Sequence, residues 1–161
     1  MRRVVITGSG AISSIGKNIL EHHESLTNGV SGIKPLKILD LDLLSIKIGA
    51  MVDNYREDDF FSSQELLFFD RATQFAVIAA NEAMDQSGFE VDYKNCNDVG
   101  VIIGNSAGGL QTLDENYRNV FRHKKRRLHP FIVPKLMGNA ASSQLSIIFG
   151  AKGPSFTVSS A

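Results

Sequence analysis

Apolar residues occur along this chain in short blocks set off by glycine, proline and acidic turns, and the blocks follow two periods. Residues 3–7 (Arg-Val-Val-Ile-Thr) and 99–103 (Val-Gly-Val-Ile-Ile) are brief apolar runs of β-branched residues, which predicts buried strands. Residues 155–160 alternate around Phe156 and Val158, a third strand pattern. Helical spacing predicts helices over about 16–26, with Ile15, Ile19 and Leu26 facing inward, over 70–87, over 110–121 and over 139–149. Asn28-Gly29, Gly88 and Gly150 stand where left-handed C-terminal caps belong, and Asp70 stands where an N-cap belongs. The stretch 30–61 has short apolar pieces, including 46–51, between acidic turns, and predicts irregular structure with one or two short strands.

The helix over 70–87 is apolar nearly all round: Phe75, Val77, Ile78 and Met84 are joined by Ala72, Ala76, Ala79, Ala80 and Ala83. Such a helix is expected to be buried on most sides, sandwiched between layers. Strands alternating with helices predict an α/β class with a parallel or mixed sheet. At 43% hydrophobic and 21% charged residues the chain can build a packed core. It ends at Ala161, right after small uncharged residues, and this reads as an end inside a core.

Charge and cysteine content narrow the function. Seventeen Lys and Arg balance seventeen Asp and Glu, so no global basic field points to nucleic acid. A single cysteine, Cys96, excludes an internal disulfide, and no apolar run approaches the ~18 residues of a membrane helix. The expectation is a soluble cytoplasmic protein. Cys96 sits in a polar turn without the helix N-terminus that would activate it, and reads as a bystander. His22, His23, His123 and His129 lack metal-ligand spacing, and His22 and His23 are expected on an exposed helix face.

Three stretches could carry chemistry. Gly8-Ser9-Gly10 follows a strand pattern and precedes a helix, which suits either a tight structural turn or a dinucleotide pyrophosphate, although Ser13 stands where a third glycine would be. Residues 104–109 (Gly-Asn-Ser-Ala-Gly-Gly) lack a P-loop ending; their small side chains let backbone pass close to a ligand or to another backbone. Residues 122–127 place five Lys or Arg in six positions, either a solvated loop or a docking patch for an acidic protein surface. His129-Pro130 and Val133-Pro134 bracket what reads as a short extended segment.

Taken in order, Arg3-Val4-Val5-Ile6-Thr7-Gly8 with Gly10, Phe69-Asp70-Arg71-Ala72, His129-Pro130-Phe131-Ile132-Val133-Pro134, and Gly150-Ala151-Lys152-Gly153-Pro154-Ser155 with Ser159-Ser160-Ala161 resemble the N-terminal half of the β-ketoacyl-acyl-carrier-protein synthases of condensing-enzyme II type. The resemblance covers residues 1–161. It implies a thiolase-like α/β fold, the chain being one half of a five-layer α-β-α-β-α stack with a mixed five-stranded sheet in each half. It implies decarboxylative Claisen condensation of an acyl thioester with malonyl carrier protein in fatty acid biosynthesis. The nucleophilic cysteine would directly follow Ala161, so no catalytic side chain falls within the chain.

By the same resemblance Ala107 and Ile132 match positions lining the acyl pocket. Ala107 implies a roomier pocket than a larger aliphatic residue would, and Ile132 matches a position that reaches across a dimer interface. Arg126 and Arg127 match basic positions that dock acyl carrier protein. Relatives often carry basic residues just before the Phe69-Asp70 position; Gln64, Leu67 and Phe68 here imply either a shifted carrier surface or a preferred carrier other than the housekeeping one. The implied partners are acyl and malonyl carrier protein and a second copy of the chain, with no cofactor, metal, nucleic acid or membrane. The alternatives are a non-catalytic chain-length-factor-like subunit, a specialised polyketide- or nodulation-type ketosynthase subunit, and a nucleotide-binding module using Gly8 and Gly10.

Overall fold

A computed structural model describes residues 3–38, 40–53 and 55–160. Ala161, where the predicted approach to the nucleophile ends, lies outside the described residues, as does Arg2. The elements in chain order are α1 (Ile19–Thr27), β1 (Ile33–Pro35), β2 (Ile48–Ala50), α2 (Arg71–Ser87), β3 (Val101–Gly104), α3 (Leu110–Phe121), α4 (Ile132–Leu136), α5 (Ala140–Phe149) and β4 (Ser155–Val158). Short 3-10 turns at Leu41–Leu43, Glu57–Asp59 and Glu65–Leu67 interrupt the connecting stretches. The chain groups into two compact units, residues 1–56 with 78–88, and residues 57–77 with 89–161.

In the first unit, α1 starts later than its spacing predicts because Asn18 caps it: the Asn18 side chain accepts the Glu21 N–H at 2.8 Å. Asn28 and Gly29 (φ 65°) end it as expected. Ile15 and Ile19 are half-buried, but Leu26 is 60% exposed and is not an inner residue. His23 is exposed as expected; His22 is half-buried, its Nδ1 hydrogen-bonded to Ser13 Oγ at 2.9 Å. The stretch after residue 30 yields the antiparallel pair β1–β2, with Ile33 opposite Ala50.

Residues 3–7 are not a strand. No ladder partner is assigned to them among the described residues, and Val4 and Ile6 stand 93% and 92% exposed. The β-branched run states a preference for extended backbone, but a strand also needs a neighbour to accept its hydrogen bonds.

In the second unit β3 and β4 pair in parallel, Val101 opposite Ser155 and Gly104 opposite Val158. α5 packs on both strands. Its buried face is Ala140, Ala141, Ser142 and Leu145, and Ser142 Oγ hydrogen-bonds Thr157 Oγ1 at 3.0 Å. The expected mixed five-stranded sheet reduces, among the described residues, to this parallel pair and the separate β1–β2 pair. β3 is accordingly covered on one face only: Val101 and Ile103 are half-buried, whereas Ile102 faces outward beside Phe156 and Val158.

α2 is half-buried rather than enclosed: only Thr73, Gln74 and Val77 along it are buried, while Phe75, Ile78 and Met84 keep partial exposure. Residues 132–136 form a helical turn instead of an extended segment. Pro134 is the third residue of α4, where a helix has no partner for the N–H that proline lacks. No helix among the described residues is long and apolar enough to cross a membrane.

Ile6, Ile102, Phe156 and Val158 present apolar surface worth roughly 25 cal/mol per Å² when covered. The 161-residue chain made alone is therefore expected to self-associate and to bind hydrophobic dyes, measured by sedimentation and dye fluorescence. A sharp, reversible melt of a monomer that binds no dye would contradict this.

Candidate functional site

Parallel pairing brings the carboxyl ends of β3 and β4 together, and the small-residue loop 104–109 leaves the sheet there. The Asn105 N–H donates to the Val158 carbonyl at 3.0 Å, and Ser159 Oγ–H donates to the Ser106 carbonyl at 3.4 Å. The stretch 159–160 thus runs beside the loop that carries Ala107, which is exposed. Carboxyl ends of parallel strands are where α/β folds receive ligands.

The loop is held from its other side by α4. At Gly109 (φ 71°) a Cβ would lie 2.6 Å from Leu136 Cα and 2.7 Å from the Lys135 carbonyl oxygen. Only glycine allows both this backbone and this approach. Asn105 Nδ2–H reaches the Gly138 carbonyl at 3.4 Å. α4 is anchored in turn: Lys135 Nζ donates to the Leu66 carbonyl at 2.9 Å, and Phe131 packs on Phe68 with ring centroids 4.3 Å apart. Ser62 closes the turn that carries Leu66. Its hydroxyl and N–H both donate to Glu65 Oε2, at 2.7 and 2.8 Å, and hold the Glu65 carboxyl below its ordinary range.

Ile132 opens α4 and is half-buried in the wall of a recess of about 210 Å³ with Leu66, Thr112, Glu115 and Lys135. The loop and α4 therefore carry Ala107 and Ile132 on two segments locked to one another. Arg126 and Arg127 are exposed in the loop after α3, two and three residues beyond Lys124, whose backbone is left-handed (φ 53°). The spacing of residues gave no sign of Lys135, Asn105 or Thr112, because their partners lie 69, 33 and 42 residues away in sequence.

The remaining motifs resolve as packing. A Cβ on Gly8 or Gly10 would overlap the carbonyl oxygens of Ala83 and Ala79. Gln86 Oε1 accepts the Ser9 N–H at 2.6 Å, and Glu82 accepts the N–H groups of Ala11 and Ile19 at 2.9 and 2.8 Å. The donors a pyrophosphate would need are taken by α2 side chains, so this loop is a structural turn. Cys96 is buried, its Sγ 3.8 Å from the Tyr93 carbonyl, in the polar turn read from sequence.

Comparison with known proteins agrees with the fold. The family model "Beta-ketoacyl synthase, N-terminal domain" matches residues 1–161. The chain belongs to this family. It is 35% identical over 153 residues to 3-oxoacyl-[acyl-carrier-protein] synthase 2 of Staphylococcus aureus (strain COL), covering 95% of this chain and 37% of that one. The chain thus spans little more than a third of the length of this relative. Among solved structures, the ishigamide ketosynthase/chain length factor superposes with a TM-score of 0.83 at 23% identity, covering 98% of this chain and 40% of that one. A type II polyketide acyl-carrier protein in complex with its ketosynthase gives 0.73 at 17%, covering 96% and 41%. These likenesses establish the ketosynthase fold, and the expected thiolase-like α/β class stands.

Gly109→Ala is expected to destabilise the protein by about 2–4 kcal/mol, combining a left-handed residue with overpacking. Gly138→Ala, where a Cβ meets nothing within 4 Å, is expected to cost no more than about 0.5 kcal/mol. Urea denaturation of the two variants checks this; equal costs would contradict the close approach.

Proposed function

We propose that this chain is the N-terminal part of a 3-oxoacyl-[acyl-carrier-protein] synthase acting in fatty acid biosynthesis. The observation that carries the proposal is the parallel β3–β4 pair, whose carboxyl ends run together at the loop bearing Ala107. The run Ser159-Ser160, which leads from β4 toward the expected cysteine, passes beside that loop. The 35% identity to a protein named as such a synthase supports the same reading.

The chemistry follows from that residue. A thiolate adds to the carbonyl of an acyl-carrier thioester, the carrier thiol leaves, and the acyl group stays on the enzyme sulfur. Malonyl carrier protein then loses carbon dioxide. Its carbanion attacks the enzyme thioester, forming the new carbon–carbon bond and expelling the thiolate. Backbone N–H groups stabilise the oxyanion, and two histidines and a lysine supplied by sequence beyond this chain support decarboxylation and condensation. Ala107 and Ile132 line the acyl chain. Arg126 and Arg127, exposed and unconstrained by a helix, suit the acidic surface of a carrier protein. The working protein is a cytoplasmic homodimer, and residues 1–161 are one half of its layered fold.

Extending the reading frame past Ala161 and assaying the complete protein tests the proposal. Cysteine at the next position and condensation of acyl with malonyl carrier protein are expected. Glutamine or another inert residue there, with no condensation, would mark a chain-length-factor-like subunit instead. Charge reversal of Arg126 and Arg127 together to Glu is expected to raise KM for the carrier roughly tenfold with kcat nearly unchanged, two rim charges each contributing up to about 1 kcal/mol. A KM insensitive to this reversal and to salt would contradict the docking role.

A further inference from the structure

Asp70 is 4% exposed, and its carboxylate reaches two helices. Oδ1 accepts the Ala72 N–H at 3.0 Å and so caps α2. Oδ2 accepts both the N–H and the hydroxyl of Thr112, at 3.1 and 2.6 Å. Thr112 is the third residue of α3, one of the positions whose N–H has no partner inside the helix. The residue that should supply that partner is Gly109, which has no side chain and gives α3 no side-chain cap. Asp70 therefore caps α3 from 42 residues away, and both helix N-termini direct their dipoles at one buried carboxylate.

Gly109 precedes Thr112 by three residues, and it approaches α4 so closely that a Cβ there would lie 2.6 Å from Leu136 Cα. A displacement of the first turn of α3 would shift Gly109 against α4, and with it the contact between the loop bearing Ala107 and the helix bearing Ile132. We propose that the Asp70–Thr112 pair is the positioning element of the acyl pocket: it fixes where loop 104–109 meets α4 and so sets which acyl-chain lengths are accepted. This rests on the condensing function proposed above. Neither residue has a part in the bond-making steps, and Thr112 turns its hydroxyl to Asp70 rather than leaving it free in the recess wall.

The test uses the complete synthase with Asp70→Asn, Thr112→Val and Thr112→Ser. Valine keeps the shape of threonine and removes only the hydroxyl; serine keeps the hydroxyl. The readout is the ratio of kcat/KM for a six-carbon and a fourteen-carbon acyl-carrier thioester. Asp70→Asn and Thr112→Val are expected to shift that ratio in the same direction by about tenfold, the size carried by a hydrogen bond to a charged group. Thr112→Ser is expected to stay within about twofold of the wild type, and the double variant Asp70→Asn/Thr112→Val to shift no further than the larger single.

A uniform loss of activity with an unchanged ratio would reduce the pair to a purely structural role and overturn the proposal. Amide hydrogen exchange at 110–113 supplies a readout independent of catalysis, and should accelerate in Thr112→Val but not in Thr112→Ser. Unchanged exchange would mean that no such lock exists. A wild-type protein that condenses nothing would refute the functional reading and the specificity role with it, while exchange would still report whether Asp70 caps α3.

Discussion

A carboxylate buried as deeply as Asp70 is tolerable only if hydrogen-bond donors replace the water it has lost. Here the donors come from the first turns of two helices, so the desolvation of one side chain ties the first turn of α2 to the first turn of α3. Contacts that build the candidate site in residues 57–77 and 89–161 continue from that relation. α3 sets Gly109, Gly109 meets α4, and α4 presents Ile132 while Lys135 ties it back to Leu66. The neighbouring β3–β4 pair brings 159–160 to the far side of the same loop. Losing a partner of a buried charge-assisted hydrogen bond is costly, which makes such a relation discrete rather than adjustable.

Glycine serves the same end by a different route. Gly8 and Gly10 in one unit and Gly109 in the other stand where backbone meets backbone at distances no side chain permits. In the first unit this closes the loop against α2, and the Glu82 and Gln86 side chains then consume its N–H groups. A glycine pattern shared with phosphate-binding loops thus becomes a packing joint. The difference lies in what occupies the donors, and a spacing rule cannot see that.

Local features were legible in the sequence. Helix ends marked by Asn28-Gly29, Gly88 and Gly150 fall where written, because capping is decided by a few adjacent residues. The helix over Leu110–Phe121 and the strands near 101–104 and 155–158 are also found where their periodicity places them. Features that depend on distant partners were not legible. Residues 3–7 have strand composition without a ladder, and α2 has an all-round apolar surface that is only partly covered. Val133-Pro134 reads as the end of a short extended segment until the place of Pro134 in the first turn of α4 is known. At the site, Ala107, Ile132, Arg126 and Arg127 came from family resemblance. The Asp70–Thr112 and Lys135–Leu66 contacts, which hold those segments, join residues too far apart in sequence for any local pattern.

Trapping of the acyl-enzyme tests the central claim most directly. The complete protein, incubated with acyl carrier protein loaded with a saturated acyl group and then digested, should carry the acyl mass on the residue that immediately follows Ser159-Ser160-Ala161. Cys96 should remain unmodified. Acyl mass on Cys96, or no covalent acyl group on a protein that is folded and binds the carrier, would contradict an acyl-transfer site at the carboxyl ends of β3 and β4.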